Sequence, residues 1–151
     1  MLSTITKNSW MELALNQAHI ALEHNEIPVG AIVVSEKGEL IAQGHNLVLS
    51  LNDPSAHAEI MVLRQAGQIL GRPRLDDCDL YVTLEPCSMC AGAISWAHIR
   101  RLYFGAYDPK AGGVEHGPRI FSYTNHQPEI IGGIREKDCA KLLQDFFRSK
   151  R

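Results

Sequence analysis

Two short groups of residues in this chain have the types and spacing to hold a metal ion and to move protons beside it. Cys87 and Cys90 stand three apart in Pro86-Cys87-Ser88-Met89-Cys90, and His57-Ala58-Glu59 lies upstream. A strand ending at Leu84-Glu85, with Pro86 opening a helix, puts both cysteines on one face of the first helical turn. The positive end of that helix lowers a thiol pKa, so both can ligate as thiolates. His57 adds a neutral imidazole. Three protein ligands leave a fourth position to water, which is the catalytic arrangement of zinc, whereas a structural site wants four. Two thiolates and an imidazole cancel the charge of Zn²⁺, so water activated there needs help from a base. Glu59, beside the site and not required as a ligand, can take the proton of that water and hand it to a leaving amine. The implied chemistry is attack of water on a carbon that carries an amino group, with loss of ammonia.

Other readings of the same residues stay open at this point. A Cys-x-x-Cys pair can be a redox motif, and a structural zinc could recruit Cys78, Cys139 or another histidine as a fourth ligand. The joint His-x-Glu and Pro-Cys-x-x-Cys pattern favours a catalytic metal, because it is far more specific than either half. Cys78 and Cys139 otherwise read as small buried apolar residues. His19, His24, His45, His98, His116 and His126 read as surface or satisfied core histidines.

The elements that must position these groups follow from periodicity. Ser9 followed by Glu12 reads as a capping box, and Met11, Leu15, Ala18 and Leu22 at helical spacing predict a helix over 9–24. Ile27-Pro28-Val29-Gly30 breaks it. Ala31-Ile32-Val33-Val34 and Leu40-Ile41-Ala42 around Glu36-Lys37-Gly38-Glu39 predict a hairpin. Asn52-Asp53-Pro54-Ser55 is a loop feeding a helix over 57–70, stopped by Gly71 and Pro73. Leu80 to Leu84 predicts a strand, followed by a small-residue helix to about His98 and a strand over Arg101-Leu102-Tyr103-Phe104. Residues 105–127 read as loop, Ile130-Ile131 as a last short strand, and Asp138 to Arg148 as a closing helix. Cys139, Leu142, Leu143, Phe146 and Phe147 form its apolar side. This order predicts one mixed sheet with helices on both faces, in which a crossover can bring two helix starts to one sheet edge. With no internal repeat and no linker, residues 1–151 read as a single domain.

Composition sets the outer limits. Hydrophobic residues at 45% and charged residues at 21% exclude a disordered chain. A net charge of -2, from 15 Lys+Arg against 17 Asp+Glu, excludes a strongly basic nucleic-acid coat. Local patches remain, at Arg72 and Arg74, at Arg100 and Arg101, and at the end Arg148-Ser149-Lys150-Arg151. No uncharged apolar run approaches the roughly 18 residues of a membrane helix. The start Met1-Leu2-Ser3-Thr4-Ile5-Thr6-Lys7 leads into Glu12 rather than a cleavable leader, so a cytoplasmic location is expected.

His-x-Glu followed by Pro-Cys-x-x-Cys is the signature of the zinc nucleobase deaminases of the cytidine and deoxycytidylate deaminase superfamily, and the likeness is closer than the class. Pro28-Val29-Gly30-Ala31, Asp53-Pro54-Ser55-Ala56-His57-Ala58-Glu59-Ile60-Met61, Leu84-Glu85-Pro86-Cys87-Ser88-Met89-Cys90-Ala91-Gly92-Ala93 and Phe104-Gly105-Ala106-Tyr107-Asp108-Pro109-Lys110 resemble the bacterial tRNA-specific adenosine deaminases over nearly the whole chain. The resemblance implies an α/β fold, a three-layer α/β/α cytidine-deaminase-like architecture with a five-stranded mixed sheet. It also implies a homodimer, one zinc per subunit, and conversion of adenosine to inosine at the wobble position of a tRNA anticodon. By position it implies that His57, Cys87 and Cys90 hold zinc and that Glu59 shuttles protons. Asn46 falls where the family contacts the flipped nucleotide, Val29 lines the base pocket, and the backbone at Ala58 and Cys87 orients the base and the reacting oxygen. Asp108 and Lys110 fall near the RNA backbone, Phe147 and Arg148 on a terminal helix that reaches the anticodon stem-loop. On spacing alone Phe147 is equally a core residue, Val29 strand core and Lys110 a solvated loop charge. Two segments depart from the family pattern. Residues 47–52 are more apolar, and 112–118 lack the short helical continuation after Lys110. The rival readings are a deaminase of a free base or nucleoside, of guanine or cytosine type, and a silent zinc domain that only binds RNA.

Overall fold

The computed structural model describes residues 6–150. Residues 1–5, which carry most of the leader reading, and Arg151 of the basic end lie outside the described residues. Eleven elements follow in chain order: α1 (Lys7–Glu23), β1 (Gly30–Ser35), β2 (Leu40–His45), α2 (Val48–Leu51), α3 (Ala58–Leu70), β3 (Cys78–Leu84), α4 (Ser88–Trp96), β4 (Arg101–Ala106), a 3-10 turn (Ile120–Ser122), β5 (Glu129–Ile131) and α5 (Glu136–Ser149). The sheet order is β2-β1-β3-β4-β5. β1 runs antiparallel to both β2 and β3, and β3, β4 and β5 are parallel. Helices α1 and α5 pack on the sheet and are joined by an ion pair between Arg135 and Glu12, while α3 and α4 pack on one another. The result is the three-layer α/β/α arrangement with a five-stranded mixed sheet. β3, the central strand, is buried from Cys78 through Thr83, as expected of a strand covered on both faces.

The first helix starts earlier than its sequence suggests. Thr6, not Ser9, is its cap: the Ser9 N–H donates to Thr6 Oγ1 at 3.2 Å. Starting there lets Trp10, Met11, Ala14, Leu15 and Ala18 face the sheet, and it frees Glu12 to meet Arg135. α1 lies so close to β1 that a Cβ at Gly30 would land on Ala14 O, which is why this strand opens with glycine. Residues 105–127 are largely irregular, as expected, with one 3-10 turn over Ile120–Ser122 and no helix over 112–118.

Register defines the functional edge. Gly30 opposes His45, Ala31 opposes Val82, and Leu84 opposes Ala106. The start of β1 and the ends of β2, β3 and β4 therefore share one edge of the sheet. α3 and α4 both begin beyond that edge, after the loops leaving β2 and β3.

The apolar stretch 47–52 folds as the short α2, and a buried carboxylate holds it. Glu26 is fully buried and accepts the Leu49 N–H at 3.0 Å, the Ser50 N–H at 2.7 Å and the Ser50 hydroxyl at 2.6 Å. Burial alone would raise its pKa; these donors, Ser50 foremost, outweigh it and hold the carboxyl below its usual value. Hydrogen bonds to a charged group contribute about 1.5–3 kcal/mol. Glu26→Gln should therefore destabilise the fold by about 2 kcal/mol, lowering Tm by about 4–8 °C. Because the folded-state pKa is depressed, this stabilisation is present above the ordinary carboxylate pKa and is lost as pH falls through the folded value. Thermal unfolding of both proteins should show a wide gap near neutral pH that closes in acid; a gap of equal size in acid would remove the ionised carboxylate from the account.

Candidate active site

His57 and Cys87 occupy equivalent places on two helices. His57 is the N-cap of α3 and Cys87 the N-cap of α4, both with extended backbone, and neither side chain makes a capping bond. Cap residues stand half outside the helix, so their side chains are free to ligate. Cys90 is the third residue inside α4 and comes back over its cap, on the face expected from sequence. The loop before His57 is fixed by Asp53, whose Oδ1 accepts the Ser55 N–H at 2.9 Å and hydroxyl at 2.7 Å. The Leu47 N–H donates to Ala56 O at 2.9 Å, tying the end of β2 to the same loop.

His57 Nδ1 lies 3.6 Å from Cys87 Sγ and 3.5 Å from Cys90 Sγ, and all three ligand atoms fall within 4.8 Å of one another. A tetrahedral zinc, with bonds of about 2.3 Å to sulfur and about 2.0–2.1 Å to nitrogen, spaces its ligand atoms about 3.5–3.8 Å apart. The triangle fits zinc. Among the described residues these three form the group that could hold a metal. Cys78 and Cys139 are buried elsewhere, with their thiols pushed up to about 12 by desolvation, so neither is the fourth ligand of a structural site. Cys78 opens β3 at the far edge, and Cys139 packs against Gly105.

The three ligands share their protons. The hydrogen bond from Cys90, then contact with His57, brings Cys87 down to about 4, while the same bond to Cys87 pushes Cys90 up. The Cys87 sulfur raises His57 in turn. A divalent cation replaces such shared protons, and ligation of this kind strengthens as pH rises. Glu59, in the first turn of α3, is 4% exposed. Burial, reinforced by the charge on Cys87, pushes it up to about 7, so the carboxyl can both take and give a proton near neutral pH.

Residues 4–106 match the cytidine and deoxycytidylate deaminase zinc-binding region. The chain is 52% identical over 147 residues to a tRNA-specific adenosine deaminase of Agrobacterium fabrum, covering 96% of each protein. It belongs to the tRNA-specific adenosine deaminase family. A solved structure from work on A-to-I editing by tRNA:A34 deaminases superposes with a TM-score of 0.89 at 51% identity, over 91% of this chain and all of that one. Guanine deaminase from Nitrosomonas europaea, with a TM-score of 0.83 over 96% of this chain and 86% of its own, is 23% identical and shares the fold alone.

The deaminase brings most of the other expected site residues to the same edge. Val29 immediately precedes β1, and its carbonyl accepts the Asn46 N–H at 3.1 Å. Asn46 is buried. Its Oδ1 accepts the Val48 N–H at 3.2 Å and its amide reaches Ile27 O at 3.5 Å, which leaves a second amide hydrogen to donate. Ala58, fully buried, is the first residue of α3. Asp108 follows β4, and its Oδ1 accepts the Ala111 N–H at 3.0 Å, closing the turn that presents the exposed Lys110. Phe147 and Arg148 are placed differently. They lie eight and nine residues past Cys139, about 12 Å and further along the α5 axis. Phe146 is the core residue, and Phe147 is half-exposed rather than part of the apolar side.

Charge clusters legible in sequence are largely spoken for. Arg100 grips Asp79 with two bonds of 2.9 and 2.8 Å, Arg101 meets Glu129 at 2.9 Å, and Arg72 meets Asp77 at 2.6 Å. Arg100 and Arg101 stand at the start of β4, across the sheet from the ligands. Sequence reasoning missed Glu26, Glu85 and His116, which bond to the loops around the site. The available signal was a carboxylate in an apolar junction just before a proline, at Glu26-Ile27-Pro28 and Glu85-Pro86.

His57→Ala and Cys90→Ala should each reduce zinc, measured by atomic absorption after dialysis, from one per chain to below about a tenth, since two ligands cannot hold it. Glu59→Gln should keep full zinc. Loss of zinc from that variant would make Glu59 a ligand.

Proposed function

We propose that this deaminase, residues 1–151 forming one domain, hydrolyses adenosine to inosine at the wobble position of a tRNA anticodon stem-loop, with one zinc per subunit held by His57, Cys87 and Cys90. The observation that carries the reading is the buried Glu59 carboxyl, set in the first turn of α3 beside a ligand triangle of zinc dimensions. When bound, zinc supplies a Lewis acid that makes water a nucleophile at neutral pH. Glu59 takes a proton from that water as its oxygen bonds to C6 of adenine. It then gives the proton to the exocyclic nitrogen as the C6–N bond breaks and ammonia leaves. Asn46 donates its remaining amide hydrogen to the flipped nucleotide, and Val29 and the backbone of Ala58 and Cys87 line the base. Asp108 and Lys110 lie along the RNA backbone. Phe147 and Arg148 serve as outer contacts, beyond the edge where the reaction takes place. An anticodon loop suits such a site because its bases leave the stack at little cost.

The protein works as a cytoplasmic homodimer. No helix among the described residues is long and apolar enough to cross a membrane. Trp96, at the end of α4, is 81% exposed and stands at a groove of about 780 Å³ lined by Ile60, Leu63, Gly67 and Ala93 of α3 and α4. A second copy related by a two-fold axis inserts its Trp96 there, burying an indole that water otherwise surrounds.

Nucleoside analysis of a synthetic stem-loop with adenosine at the wobble position should show inosine with zinc-loaded protein and about 10³-fold less with Glu59→Gln. No inosine from folded, metal-loaded protein would overturn the substrate, and free guanine and cytosine would be tried next. In sedimentation, Trp96→Ala should raise the dimer dissociation constant at least about 10-fold, from loss of about 1.5 kcal/mol or more of apolar burial. A dimer unaffected by the change would place the interface elsewhere.

A further inference from the structure

We propose that Glu85 is a positioning residue for substrate: it holds residues 108–116 against the zinc edge, so that Asp108 and Lys110 meet the RNA in a fixed geometry. The substrate side of this inference rests on the function proposed above. Glu85 immediately follows β3, two residues before Cys87, and is 2% exposed. Its carboxylate accepts five hydrogen bonds, all from one loop. Oε1 takes the Asp108 N–H at 3.0 Å and His116 Nδ1 at 2.8 Å, and Oε2 takes the N–H groups of Val114 at 3.2 Å, Glu115 at 3.0 Å and His116 at 3.0 Å. Three consecutive amides converging on one oxygen form an anion nest built within the protein.

The loop closes on the ligand junction from both sides. Gly113 N–H donates to Pro86 O at 2.8 Å, and a Cβ at Gly113 would strike the backbone of Ser88. A Cβ at Gly112 would land on the Glu85 carboxylate itself. Residues flanking Cys87 thus form the floor on which the loop rests. No helix or strand stiffens this segment between the end of β4 and Ile120, so the carboxylate substitutes for one. With an amide in its place, Nε2 would face N–H donors, those groups would turn to water, and the loop would have to be ordered by the RNA at binding. An ordering cost incurred at binding raises KM and leaves the chemical step in place.

The test compares wild type, Glu85→Gln and Gly112→Ala, each zinc-loaded, by zinc content, amide hydrogen exchange over 108–116, and kcat and KM on the stem-loop. Gly112→Ala pushes the loop off the carboxylate with a methyl group while keeping the Glu85 charge and the sequence of β3, so it stands in if Glu85→Gln fails to fold. The expected result is one zinc per chain in all three, faster exchange in the loop of both variants, KM raised about 10- to 100-fold and kcat within about 3-fold. Wild-type KM in the variants, or a loss confined to kcat, would overturn the inference while wild-type activity upholds the proposed function. A wild type inert on the stem-loop would overturn that function, and with it the substrate side of this inference.

Discussion

Everything at this site depends on two helices beginning at one edge of the sheet with their cap residues close enough to share a metal. The tolerance is small, because zinc accepts ligand separations of about 3.5–3.8 Å and the structure provides 3.5 and 3.6 Å from His57 to the two sulfurs. No side chain can reach that accuracy alone. It follows from the register of β1 on β3, which aligns the exit from β3 with the entry to β1, and from the Leu47–Ala56 bond that draws the His57 loop inward. Packing of β3 on both faces fixes the register, since a slip of one residue would exchange the side chains fitted to each face. Core packing thus sets the metal geometry, and the metal ligands need contribute little to folding themselves.

The same edge must also carry loops that are irregular yet fixed, and two buried carboxylates meet this demand. Glu26 and Glu85 each take several donors from a segment with little regular structure of its own. An unpaired carboxylate at such depth would be strongly unfavourable, whereas one ringed by amides is stable as an anion. For both residues burial works against ionisation and the surrounding donors prevail. Glu59 is buried with far fewer donors and lands near neutrality instead. Three buried carboxylates in one molecule therefore differ in charge state according to how many N–H groups surround each, and the one with the fewest is the one beside the ligand triangle.

The legible part of this protein was whatever depends on local pattern. The succession of elements along the chain, the hairpin and the starts of α3 and α4 could be read from periodicity and spacing, because each is decided within a few residues, and the same spacing singled out His57, Glu59, Cys87 and Cys90 as candidates. Misread positions have a common cause. Ser9-x-x-Glu12 has the form of a capping box, but a threonine three residues earlier buries Trp10 and leaves Glu12 for Arg135, a partner far away in sequence. Phe146 and Phe147 are adjacent and equally apolar, so only the packing of α5 on β4 says which one faces inward. Glu85 carries no local signal of its role, since its partners begin 23 residues downstream in a stretch with no periodicity. Arg100 and Arg101 read as a basic patch in sequence, but Asp79 and Glu129 on the neighbouring strands β3 and β5 pair with them.

That last point bears on how a chain of net charge -2 can hold RNA. Arg72, Arg100 and Arg101 are engaged by carboxylates, and Lys110 stands exposed on the turn that follows β4. Each phosphate contact contributes about 0.7–0.9 to the slope of log affinity against log salt, so a handful gives modest and only moderately salt-dependent binding. Selectivity then has to come from shape, from a base already free of its stack and from loops held in one arrangement by Glu26 and Glu85. A strongly basic surface would bind any RNA and hold the product as well as the substrate. Binding energy drawn instead from rigid, correctly placed groups is available only to an RNA that presents an unstacked adenosine in the right frame, and for that reason the fixity of the 108–116 loop matters more here than the number of its charges.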